Sequence, residues 1–173
     1  DGAIASNDIT ISNCEIYDVL NGRDNAGGIV VNGDVTDLSI TGNSIYRDNS
    51  THGDASLSGI NTDQALIHFY TGEYNGVTVS NNYLGGANNT AGGTKIHGTG
   101  DGTTAAIIFM STIDAVTGTI NITGNTFKNM KWSNDDFNGS IVISTDLGDY
   151  NISNNTFSDL LYTSLADGYV YEP

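Results

Sequence analysis

The stretch Ile120-Asn-Ile122-Thr-Gly124-Asn125-Thr-Phe127 returns along this chain in recognisable copies, and that recurrence constrains the fold more than any other feature. The copies are Leu38-Ser-Ile40-Thr-Gly42-Asn43-Ser-Ile45, Val77-Thr-Val79-Ser-Asn81-Asn82-Tyr-Leu84 and Tyr150-Asn-Ile152-Ser-Asn154-Asn155-Thr-Phe157. A degenerate first copy reads Ile9-Thr-Ile11-Ser-Asn13-Cys14-Glu-Ile16. In extended backbone alternate side chains face one way, so Ile120 and Ile122 point inward while Asn121 and Thr123 point to solvent. The Gly-Asn or Asn-Asn pair that follows tolerates left-handed backbone angles and breaks the alternation, after which Phe127 turns inward again round the corner. Stacked copies would align Asn43, Asn82, Asn125 and Asn155, with Cys14 at the head of the column, and each amide would bond to the ones above and below. Cys14 is expected to be a small buried substitute for Asn in that ladder.

The pattern resembles the right-handed parallel β-helix repeat of the pectate-lyase-like superfamily, in which strand, Asn-bearing turn and second strand recur once per coil. The resemblance covers nearly the whole chain and implies an all-β fold, a right-handed parallel β-helix (solenoid) of about five to six coils. Its hand follows the right-handed bias of parallel crossovers. Residues 1–173 fit one domain by length, as a segment of a longer solenoid or an assembling subunit. The second strands of the coils are expected at 27–31, 65–69, 105–109 and 140–143. Ladder positions 14, 43, 82, 125 and 155 are 29, 39, 43 and 30 residues apart. The excess over a bare coil is expected to leave at one corner, so that 17–28, 46–64, 85–104 and 128–139 project as loop insertions from one face, where any site would lie.

Function has to be argued from individual residues, because this fold hosts lyases, hydrolases, tailspikes and adhesins. Twenty Asp and Glu stand against five Lys and Arg, a formal charge of −15, which repels nucleic acid and anionic membranes. No apolar run reaches the length of a membrane span. The resemblance implies that a lyase would carry a basic residue beside clustered carboxylates. Here Arg23 and Arg47 are the only arginines and the acids are dispersed. A hydrolase of the fold would carry grouped Asp residues followed by a Gly-His-Gly segment. Asn61-Thr-Asp63 and Asn134-Asp-Asp136 match that set only in part, since Ile96-His97-Gly98 precedes the Asp pair, and they read as turns.

Asn134-Asp-Asp136-Phe-Asn138-Gly139 has the alternating oxygens of a calcium loop, but Thr145 holds the place of the closing Glu. A polar turn is the stronger reading, and no cofactor is expected. His52, His68 and His97 are too dispersed to indicate a metal site. Trp132, Asp136, Tyr46 and Tyr83 are the candidate glycan contacts of the loop face, against the alternative that the aromatics pack the loops onto the coil. Neither end shows an amphipathic helix or charged cap, so both open edges are expected to stack on copies of the chain or on further coils of it. Together these features point to the non-enzymatic, adhesin-like branch of the resembling proteins. The expected role is a structural or adhesive module of a surface or filament-forming protein, located outside the cell or on its surface. The alternative is a carbohydrate-binding or glycan-cleaving protein acting through the loop face.

Overall fold

A computed structural model of the chain describes residues 6–18, 27–47, 56–57, 64–93, 95–99, 104–110, 113–133, 137–143 and 148–163. Among these residues the structure is all-β, and its strands pair in parallel within three sheets. Sheet A holds Ser6–Asn7, Thr10–Ser12, Val35–Thr41, Gly72–Ser80, Ile113–Val116, Thr119–Thr123 and Asp149–Ser153. Sheet B holds Glu15–Tyr17, Ser44–Tyr46, Ser56–Leu57, Tyr83–Leu84, Ile96–Thr99, Thr126–Ser133 and Thr156–Thr163. Sheet C holds Ile29–Val31, Gln64–Phe69, Thr104–Met110 and Phe137–Ile143. The chain passes from A to B to C and back to A in constant order, and each return pairs with the strand laid down one passage earlier. One such passage is called a rung below.

Register follows from the apolar alternation. Ile11, Ile40, Val79, Ile122 and Ile152 form one column in sheet A. Ile16, Ile45, Leu84, Phe127 and Phe157 form another in sheet B. A slip of one residue would turn every one of these side chains to solvent, so burial locks the pairing. The inner members Ile40, Val79, Ile122, Ile45, Leu84 and Phe127 are all 0% exposed and join Ile67, Phe69, Ile108 and Met110 of sheet C in one apolar core. Each such side chain contributes about 1.5–3 kcal/mol on burial. Phe127 and Phe157 stack with centroids 4.8 Å apart and planes 6° from parallel, which joins the last two rungs.

The corner between sheets A and B has the same backbone in every copy. Asn13, Gly42, Asn81, Gly124 and Asn154 all take left-handed angles, with φ of 54°, 66°, 56°, 67° and 57°. Only Gly and, less readily, Asn or Asp adopt that region without a large steric cost, which is why the position alternates between Asn and Gly.

Two expectations are corrected. Within the expected insertion 128–139, the described residues 128–133 and 137–139 are strand. Thr126–Ser133 runs on as strand and Phe137–Ile143 resumes in sheet C. Asn129, at φ 55°, resets the alternation so that Phe127 and Met130 are both buried although three residues apart. Likewise 85–104 contains the strand Ile96–Thr99 and 46–64 contains Ser56–Leu57, both extending sheet B. Cys14 is exposed rather than buried. It lies in the first rung, and no strand among the described residues pairs with Thr10–Ser12 or Glu15–Tyr17 on the side away from the second rung.

Candidate functional site

The most ordered polar arrangement is the column at the A-to-B corner. The Oδ1 of Asn82 accepts from the backbone N–H of Asn43 at 2.8 Å and from its Nδ2 at 3.1 Å. Asn125 Oδ1 accepts in the same way from Asn82 at 3.0 and 2.9 Å, and Asn155 Oδ1 from Asn125 at 2.9 and 3.1 Å. Each amide also donates back one rung to a sheet A carbonyl: Asn43 to Ile11, Asn82 to Ile40, Asn125 to Val79 and Asn155 to Ile122. Asn43, Asn82 and Asn125 are 0–1% exposed, so each bond replaces one that water cannot supply. Cys14 continues the column only through its backbone, donating N–H to Asn43 Oδ1 at 3.0 Å, while its thiol bonds back to Ser12 O at 3.3 Å.

The outer face of sheet B carries Tyr17, Tyr46 and Tyr83. Tyr46 stacks on Tyr17 with centroids 5.5 Å apart and planes at 24°, and its hydroxyl lies 3.2 Å from Glu15 Oε2. Tyr17 is 52% and Tyr83 43% exposed. Tyr83 shares a register position with Ser44 and Thr126, so it sits one rung beyond Ser44 and off the Tyr17–Tyr46 stack. Residues 85–93 fold back across this face. Ser44 Oγ donates to Asn89 O at 2.6 Å, and Asn89 Nδ2 donates to Glu15 Oε1 at 2.9 Å. The turn holds its own shape because Asn88 Oδ1 accepts from Thr90 N, Thr90 Oγ1 and Gly92 N. Ala91 is buried, with its carbonyl accepting from Asn129 Nδ2 at 2.8 Å.

The structure therefore brings Tyr46 and Tyr83 onto one sheet. Trp132 lies on that sheet too, in register with Gly98 and Tyr162. Asp136 lies outside the described residues with the rest of 134–136, the first half of the calcium-like segment 134–139, as does His52; residues 137–139 open the strand Phe137–Ile143. His68 and His97 belong to different sheets, C and B, and His68 is buried edge-to-face against Tyr70. Among the described residues no three His, Cys, Asp or Glu side chains gather as metal ligands, and no helix is long and apolar enough to cross a membrane.

Sequence reasoning missed Tyr17 and Glu15. The signal for Tyr17 was available: it follows Cys14 at the interval by which Tyr46 follows Asn43. The contact of Glu15 with Asn89, 74 residues away, had no local signal. What this face offers chemically is stacking and hydrogen bonding. In comparisons with family models, curated proteins and solved structures, the chain matches none.

Proposed function

We propose that the chain forms a right-handed β-solenoid of about five to six coils that serves as an extracellular structural or adhesive module of a cell-surface or filament-forming protein. In this reading its end rungs continue onto further rungs. The cyclic order of the sheets and the parallel registers support the solenoid. The observation that carries the assembly is a contrast within one column: Ile122 is 0% exposed, whereas Ile152, its register partner in the last rung, is 44% exposed. Leu160 of the same rung is only half-buried, whereas its register partner Met130 is 1% exposed. Among the described residues no strand pairs with Asp149–Ser153 or Thr156–Thr163 on the side away from the preceding rung, and an apolar rung unpaired in this way is a template for another strand.

Hydrogen exchange on the isolated chain tests the assembly. The amides of 149–163 should exchange far faster than those of 119–127 and gain protection when an additional rung is fused after Thr163. End amides as slow as inner ones in the isolated chain would overturn it. Antibody labelling of intact against permeabilised source cells tests the location, and a signal only after permeabilisation removes it.

A second reading, a carbohydrate-binding face on sheet B, is favoured by exposed Tyr17 stacked on half-buried Tyr46 and by exposed Tyr83 on the same sheet. A glycan array repeated with Tyr17→Ala, Trp132→Ala and Asp136→Ala tests it. Binding that none of the three variants weakens would rule this face out.

A further inference from the structure

The ladder has a direction, and that direction specifies what can sit on its open end. In every rung the Asn amide oxygen accepts from the rung before, and the backbone N–H and Nδ2 donate to the rung after: Asn43 to Asn82, Asn82 to Asn125, Asn125 to Asn155. The rung after also returns a bond, from its own Nδ2 to a sheet A carbonyl of the rung before, as Asn155 does to Ile122. Carried one step on, Asn155 N–H and Nδ2 require an acceptor oxygen, and Ile152 C=O requires an amide donor. A ladder Asn in the next rung supplies both.

The preceding residue adds a requirement of shape. Asn13 Oδ1 lies 2.8 Å from where a Cβ on Gly42 would stand, and Asn81 Oδ1 lies 2.6 Å from where one on Gly124 would stand. The side chain of a left-handed Asn thus fills the space that its successor rung leaves by having Gly. Asn154 has the same residue type and the same backbone angle as Asn81, so it presents the same demand to the rung beyond it. The bend within sheet A is less strict, since Asp8 and Asp37 are both left-handed in successive rungs, although Asp37 Oδ1 again faces a glycine, Gly76, at 2.6 Å from its virtual Cβ. Selectivity at the ladder corner therefore rests on the lost hydrogen bonds together with the lack of room.

From this we infer that the last rung is built to receive a parallel rung whose corner reads Gly-Asn, and that the first rung of another copy of this chain is a poor fit for it. That first rung reads Asn13-Cys14. Asn13 brings a Cβ where Asn154 needs none. Cys14 offers neither the acceptor for Asn155 nor the donor for Ile152. The partner is thus a strand–corner–strand segment of the Gly-Asn type seen at Gly42-Asn43 and Gly124-Asn125, and head-to-tail growth of identical copies is blocked at this corner.

The inference rests on the open-ended reading proposed above, and the two fail differently. The hydrogen-exchange experiment addresses whether the end is open; the following one addresses what it accepts. Light scattering and sedimentation of the whole chain are compared with those of the double variant Asn13→Gly/Cys14→Asn, which rewrites the first corner as Gly-Asn. Both substitutions suit the local backbone, since glycine accepts left-handed angles and Asn is the residue of the other rungs. The variant should associate head-to-tail at least about tenfold more tightly than the parent chain, as expected for restoring several partly buried hydrogen bonds. A third protein carrying Asn155→Ala on that background should lose the gain while its circular dichroism stays that of a β fold. The inference is overturned by a double variant that folds but associates no more tightly than the parent. A parent chain that already grows head-to-tail, or dimerises through 149–163 regardless of residues 13 and 14, overturns it as well.

Discussion

Asn81 and Gly124 occupy the same corner position in neighbouring rungs, and the amide oxygen of Asn81 stands 2.6 Å from the point where a Cβ on Gly124 would be. The pair works as one unit: the glycine leaves the space and the asparagine fills it. Gly124 is also left-handed, at φ 67°, so any side chain there meets backbone strain as well as the collision. Gly124→Ala should destabilise the fold by about 2 kcal/mol or more. Adding Asn81→Gly should return the part due to the collision and leave the part due to backbone angle. A double-mutant cycle by urea denaturation reads this as a coupling of about 1 kcal/mol. Strict additivity would show that the two residues do not share the space.

Position along the ladder should grade the cost of losing an amide. Asn82 is buried, and loss of its side chain removes the acceptor of the N–H and Nδ2 of Asn43, the amide donor to the carbonyl of Ile40 and one of the two donors to the Oδ1 of Asn125, which keeps the backbone N–H of residue 82. Asn82→Ala is expected to cost about 3 kcal/mol or more, whereas Asn155→Ala, at the half-buried last rung where water reaches the vacated groups, should cost about 1 kcal/mol. Thermal melts of both variants check the order, and equal losses would contradict the ladder as a source of stability.

Cys14 makes a two-part prediction. Because it is exposed, its thiol should titrate fully with a disulfide reagent in the folded state, without denaturant. Replacing it with Asn would supply the side-chain donor that Asn43 Oδ1 lacks on that side, and Cys14→Asn should raise stability by about 0.5–1.5 kcal/mol. A masked thiol in the native protein, or a destabilised variant, would count against the observed geometry.

Tyr150 sets an alkaline limit. It stands in the inward column beyond Ile120, and burial raises its phenol above the usual 10.0 by disfavouring the anion. The unfolded chain therefore loses its proton first as pH rises. Stability from this group is complete below about pH 10 and declines from there up to the folded-state value. Tyr150→Phe should flatten that decline in melts taken from neutral to alkaline pH, and an unchanged slope would show that other groups govern it.

How much of this was legible beforehand differs from residue to residue. The inward columns, the left-handed corners and the alignment of Asn43, Asn82, Asn125 and Asn155 are carried by a few adjacent residues. Alternation and the tolerance of Gly and Asn for positive φ are backbone properties that act locally. The course of 128–139 was not legible, because Lys128-Asn-Met130-Lys-Trp132 looks like a loop until Asn129 is seen to shift the phase and let Met130 face the core. The folding of 85–93 across sheet B was equally hidden, since it depends on Asn89 meeting Glu15, two residues brought together only by stacking.

The chain's own order of residues thus determined which side chains alternate, where the backbone bends and which amides recur at the bends. Only the tertiary structure decided how far sheet B extends, which face the inserted segment covers and which members of each column are sealed. Ile122 and Ile152 are the same residue in the same local pattern, yet one is closed off from water and the other is not. The difference is physical rather than local: burial of a rung depends on a neighbour on each side, and that information is in the stack, not in the repeat.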